Sequence, residues 1–185
     1  MEQIQKVIDE QFICSIKKEG DDYIQIIKYN PTNIIDAIKT SIEFSCDKLS
    51  YLLEYSKLKY SNEKKHLLGE LFKTAINCNN MDALIILLSF KLYPRDHHIE
   101  NKIIWFIYDK NRIDLIPFSI KNGISNKRFF SLLYRHPIQS KKSKDFFLQI
   151  LSTINTTNKS NEEFIRQDMD YMIKEFQKLI CYKKN

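Results

Sequence analysis

Glycine and proline are scarce, with 3 and 4 residues in a chain of 185. So few glycines argue against a phosphate-cradling loop, where the backbone must approach its ligand closely at several positions. They also argue against a sheet with many tight hairpins. The lone Asn-Gly pair, Asn122-Gly123, closes a helical pattern instead of joining two alternating runs. No apolar run reaches the roughly 18 residues that crossing a bilayer needs, so no membrane association is expected. The opening MEQIQKVIDE has no basic stretch followed by an apolar one, so no secretory leader is expected and a cytoplasmic location is. The four cysteines, Cys14, Cys46, Cys78 and Cys181, stand too far apart for CxxC or zinc-knuckle spacing. In a cytosolic chain they are expected to be small buried hydrophobes. Hydrophobic residues make up 43% of the chain, enough to exclude a disordered tail.

What is abundant is isoleucine, lysine and asparagine: 28, 24 and 14 residues, against 1 Val and 3 Ala. With Tyr and Phe, these are the residues of AT-rich codons. The bias points to genome drift, as in many large DNA viruses, some protists and some intracellular bacteria. High Ile content would favour strands, but the period of the apolar positions outweighs propensity, and the chain reads as all-α.

Ile4, Val7, Ile8, Phe12 and Ile16 fall at helical spacing over 1–18, and Gly20 supplies a left-handed stop. Further helices are expected over 21–30, 34–44 (with Asn33 as cap), 48–60, 63–77, 81–93, 99–109, 112–122, 126–136, 144–154 and 162–182. Pro117 is tolerable only near the first turn of its helix. Connections of two to four residues force neighbouring helices to pack antiparallel. Breaks between paired helices fall at Gly20, Asp47, Asn79, Asn111 and near Lys142, at intervals of 27, 32, 32 and about 31. Gly, Asn and Asp best tolerate the left-handed residue that such a break requires.

Two units align best, 71–93 with 103–124. Asn79 pairs with Asn111, Met81 with Ile113, Asp82 with Asp114 and Leu84 with Ile116. Asn80-Met81-Asp82-Ala83-Leu84 and Ile113-Asp114-Leu115-Ile116 resemble the second helix of the ankyrin repeat, and Asn122-Gly123-Ile124 resembles its closing turn. Gly69-Glu70-Leu71-Phe72 and Asn101-Lys102-Ile103-Ile104 stand where that family has Thr-Pro-Leu-His, and Lys91-Leu92 where it has a closing Gly. The resemblance is to degenerate arrays of the kind found in AT-rich large DNA viruses. It implies a helical-hairpin solenoid with a C-terminal capping helix. The expected organisation is an N-terminal helical pair over 1–33, ankyrin-like repeats over 34–155, and a loop and C-terminal helix over 156–185. A pitch near 30 residues equally suits another α-solenoid, or a closed bundle of the Bcl-2-like kind around Met81–Tyr93.

GxSxG, HExxH, P-loop and GxGxxG patterns are absent, and no nucleophile, base and orienting group are set out for catalysis. No enzyme activity, cofactor or metal is expected. Asp96-His97-His98 with Glu100 is the one acid–histidine cluster. Adjacent His side chains are expected to diverge there, in a solvated inter-repeat loop. Trp105 sits at core spacing.

Repeat proteins bind along rows of inter-unit loops. Tyr93, Arg95, Asp96, His97, His98, Asn126, Lys127 and Arg128 are therefore the expected contacts of a protein partner. The function expected is a non-catalytic adaptor or inhibitor, acting on a host protein in the host cytoplasm if the chain is viral. The net charge of +6 supports an alternative, a basic helical nucleic-acid binder using Lys64, Lys65, Lys127, Arg128, Lys141, Lys142 and Lys144. Only five of the 29 basic residues are Arg, the side chain best suited to bidentate phosphate and base contacts. Self-association through the C-terminal helix, by Phe164, Met169, Met172, Ile173 and Phe176, is a third reading.

Overall fold

Every secondary-structure element among the described residues is helical, as the apolar period predicts. The structure, a computed structural model, describes residues 2–44, 46–58, 64–92, 96–125, 128–129 and 141–157. Its elements are α1 (Glu2–Lys17), α2 (Asp22–Ile27), α3 (Ile34–Phe44), a 3-10 turn (Cys46–Lys48), α4 (Leu49–Ser56), α5 (Lys65–Asn77), α6 (Met81–Ser89), α7 (His97–Asp109), α8 (Leu115–Lys121) and α9 (Lys141–Thr157). Pro117 occupies the first turn of α8, where its missing N–H costs little. The helices expected over 126–136 and 162–182 fall largely or wholly outside the described residues. So do Phe164, Met169, Met172, Ile173 and Phe176.

The chain divides into two units, Met1–Ile103 and Ile104–Asn185, with the division inside α7. In the first, α3 is the hub and packs against α1, α4 and α5, while α6 lies on α5 and α4. Phe12 and Ile16 of α1, Ile38 and Ile42 of α3, and Leu68, Leu71, Phe72 and Ala75 of α5 are completely buried. They recur at three- and four-residue steps, so each helix buries one stripe. Each of the Ile, Leu and Phe side chains contributes about 1.5–3 kcal/mol by leaving water. In the second unit, α8 packs on α9, and Ile104, Ile107, Ile116, Phe129, Phe146 and Ile150 form the core.

Four successive helices end in the same way. At the end of α5, Asn79 is left-handed (φ 55°), its N–H donates to Ile76 O, and the next N–H, of Asn80, reaches back to Ala75 O. Lys91 and Leu92 close α6, Asn111 and Arg112 close α7, and Gly123 and Ile124 close α8 by the same pair of bonds. This double bond satisfies carbonyls that a helix terminus leaves without partners. The closures recur at 32 positions, from 79 to 111 and from 91 to 123. Leu92 and Ile124, which follow the second closure, are both buried. Lys91 (φ 55°) thus takes a positive φ at the place where Gly123 (φ 110°) stands, against the steric preference of an L-residue.

The expected breaks at Gly20, Asn79 and Asn111 are left-handed. Asp47 is not: it sits in the 3-10 turn, which runs straight on into α4. Lys142 is not a break either, because α9 has already begun at Lys141. Asn33 precedes α3, but its amide group turns away and donates to Asp9 O at 3.0 Å.

Two buried or half-buried lysines finish helices. Lys48 is 2% exposed, and its ammonium donates to Ser15 O and Ile16 O at 3.1 Å and to Lys18 O, at the end of α1. It also lies 5.3 Å from the Tyr23 ring centroid. A cation at a helix C-terminus meets both orphan carbonyls and the negative end of the helix dipole. Lys142 does the same for α7, donating to Asp109 O at 2.9 Å and lying 4.6 Å from the Tyr108 ring centroid.

Candidate functional site

The helix start at Asp96 creates the site. Asp96 precedes α7, and its Oδ1 accepts the N–H groups of His98 at 2.8 Å and Ile99 at 3.4 Å. This capping begins α7 at His97, two residues before the apolar pattern resumes at Ile99. His97 and His98 are therefore helical and not part of a loop. Their rings do not diverge: the centroids are 4.0 Å apart, tilted by 40°. Burial acts to raise the Asp96 carboxyl. The two backbone donors, with Lys65 and His97 nearby, outweigh it and hold the group below its ordinary value of 3.8.

From α5, Lys65 Nζ reaches Asp96 Oδ2 at 3.7 Å. One expected partner-contacting residue and one expected nucleic-acid-contacting residue thus meet. Around them opens a groove of about 680 Å³ between α5 and the first half of α7. Lys65, His66, Gly69 and Lys73 line it from α5, His98, Ile99 and Lys102 from α7, and Asp96 from the residue before α7. Among the described residues, three lysines and two histidines face one carboxylate. Lys73 also holds Glu70 Oε1 at 2.6 Å, which pulls the Glu70 carboxyl below its ordinary range, with burial opposing and the charges of Lys73, His66 and Lys39 assisting.

The floor is apolar. Gly69 is buried, and a Cβ placed there would meet the Ile99 side chain at 3.7 and 3.8 Å, ordinary contact distances. Gly69, Lys73 and Lys102 are not among the expected site residues, because runs of charge along the sequence do not mark helix faces. The signal was present: 65, 69 and 73, like 98 and 102, recur at four-residue steps along one face. His66 and His98 also stand 32 positions apart, at equivalent places in the two helix pairs.

The remaining candidates separate. Tyr93, Arg95, Asn126 and Lys127 lie outside the described residues. Arg128 is half-buried in the second unit, beside the buried Phe129. Lys64 precedes α5 and its carbonyl accepts Leu68 N–H. Lys142 belongs to the second unit and caps α7. Lys141 and Lys144 lie on α9, their side chains outside the described residues.

Two expectations about burial are overturned. Trp105 is 38% exposed, because the buried stripe of α7 runs through Ile99, Ile103, Phe106 and Ile107 and leaves position 105 on its edge. Its ring meets Tyr108 edge-on at 5.8 Å, and Tyr108 meets Phe146 in the same way at 5.1 Å. Cys14 and Cys78 are exposed and Cys46 is half-buried, all as free thiols. Cys14 lies off the Phe12–Ile16 stripe, and Cys78 falls at the end of α5.

Among the described residues, no group of three or more His, Cys, Asp or Glu side chains is placed to hold a metal ion, and no helix is long and apolar enough to cross a membrane. No protein-family model, curated protein or solved structure matches the chain.

Proposed function

We propose that this chain is a non-catalytic protein-binding module, an adaptor or inhibitor built from degenerate ankyrin-like helix pairs. The observation that carries this reading is the 32-residue recurrence of helix closures, Asn79 with Asn111 and Lys91 with Gly123. Buried positions recur with it: Leu71 with Ile103, Phe72 with Ile104, Ala75 with Ile107 and Leu84 with Ile116. A repeated pair spends its apolar stripe on neighbours and leaves its polar faces for a partner. The basic groove is such a face, and the half-exposed Trp105 beside Tyr108 is the residue type that anchors protein interfaces.

Titration of the full chain with duplex DNA and single-stranded RNA tests this against the nucleic-acid alternative. The module reading expects no binding at about 50 mM salt. Tight binding that collapses by about 200 mM salt would contradict it, because that is the behaviour of lysines neutralising phosphates.

A further inference from the structure

We propose that the groove between α5 and the first half of α7 receives an acidic segment of a partner protein, with carboxylates against Lys65, Lys73 and Lys102 and an aliphatic side chain on the floor made by Gly69 and Ile99. This rests on the protein-binding reading above and deepens it by stating the chemistry of what is bound.

Charge complementarity carries the proposal. Among the described residues, the groove presents three ammonium groups and two imidazoles against one aspartate. That aspartate is committed already, since Asp96 accepts two backbone N–H groups at the start of α7. Lys65 and Lys73 each rest against a carboxylate of the chain itself, Asp96 at 3.7 Å and Glu70 at 2.6 Å. Solvent-facing pairs of this kind are weak, so an incoming carboxylate exchanges with them at little cost. Lys102 lines the same groove from α7, one helix turn beyond His98.

The same details disfavour nucleic acid in this groove. The apolar floor would face a charged chain with nothing to bury. A peptide supplies both halves of the match, carboxylates at the rim and a branched aliphatic side chain below. Among the described residues the groove offers Lys, whose compact ammonium suits single carboxylates at separate points.

The test is fluorescence anisotropy on the full chain with three labelled probes. They are an acidic peptide of Asp and Glu around a central Leu, the same peptide with Asn and Gln replacing the acids, and a single-stranded oligonucleotide. The variants are Lys65→Glu with Lys102→Glu, and a control of equal charge change outside the groove, Lys6→Glu with Lys28→Glu. A milder variant, Lys102→Gln, guards against misfolding, and circular dichroism checks all three. The expected result is binding of the acidic peptide, weakened about tenfold or more by the groove pair and also by Lys102→Gln in part. The control pair should cost less than about threefold, as screened long-range charge does. Equal loss in both double variants overturns the proposal, as does tighter binding of the oligonucleotide with the same dependence on the groove. Failure of the acidic peptide to bind also overturns it. If nucleic acid is not bound either, the protein-binding reading stands while the groove's assignment falls.

Discussion

The ammonium of Lys48 stands 3.1 Å from the carbonyl oxygen of Ile16, across 32 residues of sequence and inside the protein. A lysine at that depth would be costly if its hydrogens had nowhere to go. Three carbonyls at the end of α1 receive them, and the Tyr23 ring lies over the charge. The contact joins α1 to the start of α4 and fixes the N-terminal helix on the first unit. Lys48→Met keeps the aliphatic bulk and strips the carbonyls of their donor. It should cost about 2–3 kcal/mol, the scale of a buried charged hydrogen bond lost with its acceptors left unpaired. Urea denaturation should show a lower midpoint at unchanged slope.

Lys91 holds the left-handed position that Gly123 holds 32 residues later. A side chain there carries a steric penalty that glycine escapes. Lys91→Gly should therefore stabilise the chain by about 0.5–1 kcal/mol, while Gly123→Ala should destabilise it by about 1 kcal/mol or more. Thermal unfolding of the two variants beside the parent checks the opposite signs.

Asn80 ties two helix pairs together. Its Oδ1 accepts Ala83 N–H at 3.0 Å to cap α6, while its Nδ2 donates to Ile42 O at 2.7 Å and Cys46 Sγ at 2.8 Å. Asn80→Ala should cost about 1–2 kcal/mol. Asn80→Ser keeps a capping oxygen and loses the reach to Ile42, so its denaturation midpoint should fall between the parent and Asn80→Ala.

The acid limb of stability should depend on Asp9. Burial acts to raise its carboxyl, but the Thr32 hydroxyl at 2.6 Å, the Thr32 N–H at 2.8 Å and the Gln5 amide outweigh it and hold the group below 3.8. A lowered folded value means stability that is present above the ordinary carboxylate range and lost as pH falls through the folded value. Asp96, Asp114 and Glu70 are shifted in the same direction. Asp9→Asn should thus flatten, without abolishing, the loss of urea resistance as pH falls below about 5.

Much of the fold was legible because a single stripe per helix is enough to specify it. Ile34–Phe44 was read to the residue, and Asn79 and Asn111 were identified as breaks from their tolerance of left-handed backbone. Lys48 was not legible: a charged residue reads as surface unless its acceptors, which lie 30 to 33 residues away, are known. The start of α7 was misplaced because the apolar period begins at Ile99, while the cap at Asp96 acts before it. Trp105 reads as core from its spacing and Cys14 from its residue type, although their places on the helix lie off the buried stripe. The groove was half legible. Lys65 and Asp96 were singled out for different reasons, and only the packing of α5 beside α7 brings them together.

The most direct test of protein binding is photo-crosslinking from inside the groove. A photoreactive residue at His98, in the full chain mixed with cell extract, should give one discrete protein adduct. A control at Tyr29, exposed just after α2 and not lining the groove, should not give that adduct, and Lys65→Glu with Lys102→Glu should remove it. A nucleic-acid adduct at His98, or a protein adduct indifferent to the loss of both lysines, would contradict the account.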